Sequence, residues 1–118
     1  MTTIARGLLS GSTNGKNIKI AATATPGTTI HTAVSGTSSY DEVYVWVANT
    51  SGTAATLTVE WGGVTSPDDH IVDTYSIPAN SLPFPILTGQ VLQNSLVVKM
   101  YSGTANVLVA SGFINRIS

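Results

Sequence analysis

The sequence contains no cysteine, which excludes a disulfide framework, a thiolate metal site and a cysteine nucleophile together, and leaves the redox compartment open. Charge is scarce: 9% of the 118 residues are Asp, Glu, Lys or Arg, against about 25% in an ordinary soluble domain. A folded monomer of this mass exposes roughly 6,000 Å², so the eleven charged side chains would average about one per 550 Å², wider than usual uncharged patches. Much of that surface is expected to meet protein, although thirty serines and threonines also supply wetting. The five basic residues, Arg6, Lys16, Lys19, Lys99 and Arg116, are scattered, and the net charge is −1. Neither nucleic acid nor an anionic membrane is therefore an expected partner, since a phosphate grip needs a clustered basic face. The longest unbroken apolar run, Val43 to Ala48, is too short to cross a bilayer as a helix. Met1 to Gly15 holds no apolar core of the signal-peptide kind, so export is not expected. No helix-period run of useful length, internal repeat or second domain is visible.

What is present is a series of short β-prone runs punctuated by Gly, Pro, Asn and Ser, the spacing of a sandwich or small barrel of about eight strands. Residues 1–15, rich in Gly, Ser, Thr and Asn, read as a flexible N-terminal arm preceding a single β-sandwich domain at 16–118. The arm carries Ile4, Arg6, Leu8 and Leu9, which could dock into a neighbour. Strands are expected at Asn17–Thr23, Thr29–Val34, Glu42–Asn49, Ala55–Trp61, His70–Ile77, Leu96–Ser102 and Asn106–Asn115. Phe84–Leu87 is at best a short edge strand after a proline-rich loop, and Leu87–Leu92 at most a turn. Ser102-Gly103-Thr104 reads as a short hairpin connection.

Two strands carry the clearest patterns. Along Glu42–Asn49, Val43, Val45 and Val47 share one face while Tyr44, Trp46 and Ala48 share the other, because side chains alternate along a strand. Both faces look buried, one by the core and one by a partner or loop, which makes Tyr44 and Trp46 candidate interface anchors. Along Ala55–Trp61, Leu57, Val59 and Trp61 alternate with Thr56, Thr58 and Glu60 and read as the clean half-buried case, with Trp61 in the core.

Chemistry-bearing motifs are weak. Gly11 to Asn17 resembles a phosphate loop but is one residue short between its glycines, lacks Ser or Thr after Lys16 and has no helix to follow. Asp68, Asp69, His70 and Asp73 could offer oxygen and imidazole ligands to a cation, yet read better as a solvated turn. His31 reads as a hydrogen-bonded strand residue. No Gly-x-Ser-x-Gly elbow occurs, and paired carboxylates would have to come from Asp41, Glu42, Glu60 or the Asp68 group. No catalytic residue, cofactor or metal is assigned, and no enzymatic activity is expected. The aromatic residues could alternatively form a sugar-stacking platform.

Four segments carry a resemblance to a known group: Thr23-Ala-Thr-Pro-Gly-Thr-Thr-Ile-His-Thr-Ala33, Asp41-Glu-Val-Tyr-Val-Trp-Val-Ala-Asn49, Leu57-Thr-Val-Glu-Trp-Gly-Gly63 and Gly112-Phe-Ile-Asn-Arg-Ile117. Together they resemble small all-β virion proteins of tailed bacteriophages, of the capsid decoration (cement) or head-tail accessory type. The resemblance implies a jelly-roll-like antiparallel β-sandwich and a homo-oligomer, with a trimer favoured. It also implies a place on the phage particle, at the head surface, after synthesis in the host cytoplasm. The partner would be the major capsid protein or another virion protein; no residue-level site carries over from the group, and Tyr44, Trp46, Phe113 and Arg116 are this chain's own candidate anchors. A receptor- or glycan-binding virion module and a head-tail connector or tail component stand as alternatives.

Overall fold

The computed structural model describes residues 2–118. Nine strands run in chain order: β1 (Ile4–Leu8), β2 (Ile18–Lys19), β3 (Thr28–Thr32), β4 (Tyr40–Asn49), β5 (Ala55–Trp61), β6 (His70–Ile77), β7 (Phe84–Leu92), β8 (Val97–Ser102) and β9 (Leu108–Ile117). They form two antiparallel sheets, one ordered β1-β9-β4-β7 with the short β2 also paired to β9, the other ordered β3-β8-β5-β6. Taking β1 and β2 as one interrupted strand along β9, each sheet is four strands wide. The chain passes repeatedly from one sheet to the other, which is the jelly-roll-like sandwich winding.

The core follows from the period of two. Val43, Val45 and Val47 of β4, Leu108, Ala110 and Ile114 of β9 and Leu87 of β7 point inward from one sheet. Leu57 and Val59 of β5 and Val98 and Met100 of β8 meet them from the other. Trp61 is partly buried and packs against this core, on the face it shares with Leu57 and Val59. Ile30 and His31 are consecutive and both buried. A register shift between Thr29 and His31 allows this by interrupting the alternation.

Three expectations are corrected. The flexible arm is an integral part of the domain: β1 pairs with β9 from Ile4↔Ile117 to Leu8↔Phe113, and Leu9 is 1% exposed in the core. Beyond it, the Gly11 N–H donates to the Ile30 carbonyl at 2.9 Å, and a Cβ at Gly11 would collide with the Thr29 and Ile30 carbonyls. Composition misled here because an edge strand needs only backbone partners and one buried anchor to be held; of the expected arm, only Met1 lies outside the described residues. Second, β7 covers nine residues rather than a short edge or turn. Pro85 is accommodated because β7 is the outermost strand of its sheet, where one side of the backbone has no ladder to supply. Third, Ser102-Gly103-Thr104 is a crossover and not a hairpin, since β8 and β9 belong to different sheets.

Candidate functional site

The register places the outward residues of the five-stranded sheet in rows. Ile4, Ile117 and Tyr40 lie across β1, β9 and β4; Arg6, Asn115 and Glu42 form the next row; Leu8, Phe113 and Tyr44 the third. Trp46 follows Tyr44 two residues along β4 on the same outward side, opposite Ser111 of β9. The rings are ordered: Tyr44 and Phe113 stack with centroids 4.8 Å apart and planes 17° from parallel, and Trp46 lies 6.1 Å from Phe113 at 30°. The Arg6 guanidinium sits 4.4 Å from the Phe113 ring centre, a cation–π contact. Because β1 and β4 flank β9 on opposite sides, Arg6 and Tyr44 reach Phe113 from opposite neighbouring strands.

Two glycines make this array possible. At Gly89 (φ 110°) a Cβ would stand 3.0 Å from the Tyr44 hydroxyl oxygen, and at Gly112 it would collide with the Tyr44 carbonyl. Only glycine lets the neighbouring backbones approach Tyr44 this closely. The face around the rings is apolar, with Ile4 67% and Leu8 57% exposed and Tyr40 and Val91 also exposed. Contiguous exposed apolar faces are places where folded chains commonly meet partners.

Of the eight expected anchors, six converge here: Ile4, Arg6, Leu8, Tyr44, Trp46 and Phe113. Leu9 does not, being spent in the core. Arg116 lies on the opposite parity of β9, where its Nε donates to Asp41 Oδ1 at 2.7 Å and its Nη2 to Asp41 Oδ2 at 3.0 Å. Sequence reasoning missed Tyr40, Glu42 and Ile117 on this face, although alternation from Tyr44 and Phe113 points to all three.

Asp41 is fully buried and organises a second cluster. Its Oδ2 also lies 2.7 Å from His31 Nε2 and accepts the Val34 N–H at 3.1 Å. The Ser10 N–H donates to His31 Nδ1 at 3.0 Å, which assigns the ring proton to Nε2 and makes Asp41 its acceptor. Burial raises the Asp41 carboxyl's pKa, but the Arg116 hydrogen bonds, the His31 hydrogen bond and the Arg116 charge outweigh it and hold the group below its ordinary value. Hydrogen bonding to Asp41 in turn raises the Arg116 guanidinium above its own, against the opposing effect of burial. Both His31 nitrogens are committed, one to a backbone amide, so the Asp–His pair is arranged as a clamp between the β1 end, β3, β4 and β9. The Ser10 hydroxyl is not on the ring; its Oγ accepts the Thr32 N–H at 2.7 Å.

The Asp68 to Asp73 segment is a turn and strand entry. Asp69 accepts the Thr65 N–H at 3.0 Å, and His70 Nδ1 lies 3.3 Å from Asp73 Oδ2. The Thr74 hydroxyl bond, followed by that of His70, lowers the Asp73 carboxyl's pKa. Among the described residues no three His, Cys, Asp or Glu side chains gather as a metal-ligand set. A groove of about 360 Å³ at the β6/β7 seam is lined by Val72, Tyr75, Phe84, Pro85 and Ile86, with the Tyr75 hydroxyl its one side-chain polar group.

Compared with known proteins, the chain matches no family model, no curated protein and no solved structure.

Proposed function

We propose that this chain is a structural protein of a large assembly, docking through the outer face of the five-stranded sheet. The observation that carries the reading is the ordered Arg6–Phe113–Tyr44–Trp46 array on an otherwise charge-poor sheet face. Aromatic residues and Arg are the side chains that dominate binding energy when desolvated by a partner, and a rigid sheet presents them without an ordering cost in the partner-free state. Read with the resemblance to tailed-phage virion proteins, the assembly is a phage head. The role is that of a decoration or cement protein bound to major capsid subunits, where many symmetry copies multiply modest contacts into firm attachment.

Of the aromatic residues that could stack on a sugar, Tyr44 has one face occupied by Phe113, which weighs against a sugar-stacking platform. The commitment of both His31 nitrogens likewise favours a structural over a hydrolytic reading. The test is quantitative mass spectrometry of purified particles, together with rebinding of the protein to heads that lack it. The expected result is stoichiometric presence, rebinding that Phe113→Asp abolishes, and lower heat resistance of the depleted heads. Absence from the particles, or depleted heads of unchanged resistance, overturns the cementing role.

A further inference from the structure

We infer that the outer face of the five-stranded sheet takes a second copy of this chain, related by a two-fold axis running along β9. The inference rests on the docking reading above and assigns this face to a neighbouring copy within the assembly, leaving capsid subunits to other surfaces of the pair.

The charge pattern is self-complementary. Arg6 and Glu42 are both in register with Asn115, one on each side of β9. A two-fold axis parallel to β9 exchanges the two sides while keeping each row level, so it sets Arg6 of each copy against Glu42 of the other. The neighbouring rows obey the same operation. Leu8 meets Tyr44, Ile4 meets Tyr40, and Phe113 meets Phe113 on the axis, so along β1 the flanking residues pair apolar with apolar or charge with counter-charge, while beyond it Lys19 of β2 falls opposite Ala48. Such an isologous contact is the commonest closed arrangement of soluble oligomers. It is a two-fold pair, distinct from the trimer that the virion resemblance implies. Trp46 has no strand residue opposite it, because β1 ends at Leu8 and the flanking backbone resumes only at β2; the gap leaves room for an indole.

The area fits a weak pair. β4 and β9 each hold ten residues and β1 five. The axis lays β9 over its copy and β1 over the copy's β4 on either side, so at about 3.3 Å per residue and 4.8 Å between strands the overlap covers roughly 320 Å² per copy. Twice that, about 650 Å², lies below the bound for a stable specific interface and fits transient association at high micromolar concentration. Sheets stacked face to face are about 10 Å apart, which leaves the Asn115 pair facing across the axis within reach of a short cross-linker.

The experiment is sedimentation equilibrium of the full chain and of Arg6→Glu, Glu42→Arg and the double reversal, each checked for folding by circular dichroism. The expected result is a high-micromolar dimer that either single reversal weakens at least tenfold, by setting like charge against like. The double reversal should restore it to within about threefold. As an independent reading, Asn115→Cys in this cysteine-free chain should couple to its copy through a short bismaleimide, and Thr104→Cys, in the β8–β9 crossover, should not. A monomer at millimolar concentration overturns the inference, as does a dimer indifferent to the reversals or a failure of the double reversal to rescue. Rebinding to depleted heads by a strictly monomeric chain removes the second copy and keeps the docking face. A dimer that obeys the reversals but associates with no particle keeps the second copy and removes the virion role.

Discussion

On the four-stranded sheet, Thr58 and Glu60 point away from the core and are nonetheless buried. The Glu60 carboxylate accepts the Thr25 hydroxyl at 2.6 Å and the Gly27 N–H at 2.7 Å, and Thr58 Oγ1 accepts the Thr74 N–H at 3.0 Å. On the five-stranded sheet, Tyr44, Trp46 and Phe113 also point away from the core and are half-buried, packed against one another. One outer face is finished by its own chain with polar groups that are satisfied locally. The other carries an apolar aromatic array beside the exposed Ile4 and Leu8, the face proposed above to dock. The difference teaches that burial of an outward residue can be an intramolecular matter, and that a docking face is recognised by apolar order left open.

The largest effect tests whether β1 belongs to the domain or to the interface. A chain beginning at Lys16 loses Leu9 from the core and all five β1–β9 pairs, and should lose at least about 4 kcal/mol of folding stability in urea titration. Retention of the full unfolding midpoint would make β1 an appendage. Next, the two faces of the sandwich should separate: Leu57→Ala on the inner side should cost about 3 kcal/mol with docking intact. Phe113→Ala on the outer side should cost about 1 kcal/mol, the worth of its aromatic and cation–π contacts, while abolishing self-association. Equal stability losses from both would erase the distinction.

A smaller effect compares the two outward glutamates. Glu60→Gln places an amide against two donors and should cost about 2 kcal/mol, whereas Glu42→Gln should stay within about 0.5 kcal/mol in the monomer, both by chemical denaturation at low protein concentration. The smallest effect is pH-dependent. Because the folded Asp41 carboxyl lies below its ordinary value of 3.8, the unfolded chain takes up the proton first as acid is added. The stability that the carboxylate contributes is therefore complete above that value and lost as pH falls through the folded one. With Arg116 half-exposed and screened by water, Asp41→Asn should flatten the acid-side slope of stability; a slope equal to that of the unaltered chain would show the clamp to be inert.

Strand identity was legible where a strand's own period declares it. β5 and β6 have the bounds their alternation and turns predict, and the outward placement of Tyr44 and Trp46 follows from the valines between them. Leu9 and β7 were not legible. A lone leucine in a Gly/Ser-rich segment carries no period, and Pro85 and Gly89 in β7 argue against a strand until β4 is present to pair with it. Arg116 shows the same limit within the candidate site: it was expected among the interface anchors, but it lies on the opposite parity of β9 from Phe113 and is held by the distant Asp41.

By itself the sequence determined that the chain is all-β, lightly charged and built of strands with valine-rich inner faces, because alternation and turn chemistry are local properties. Only the tertiary structure decided that β1 is a strand, that Ser102 to Thr104 crosses between sheets, and that Arg6, Phe113, Tyr44 and Trp46 form one array. Those outcomes depend on which strands become neighbours, and neighbours separated by about a hundred residues, such as Arg6 and Phe113, are chosen by the closing of the whole sandwich and not by any stretch of chain within it.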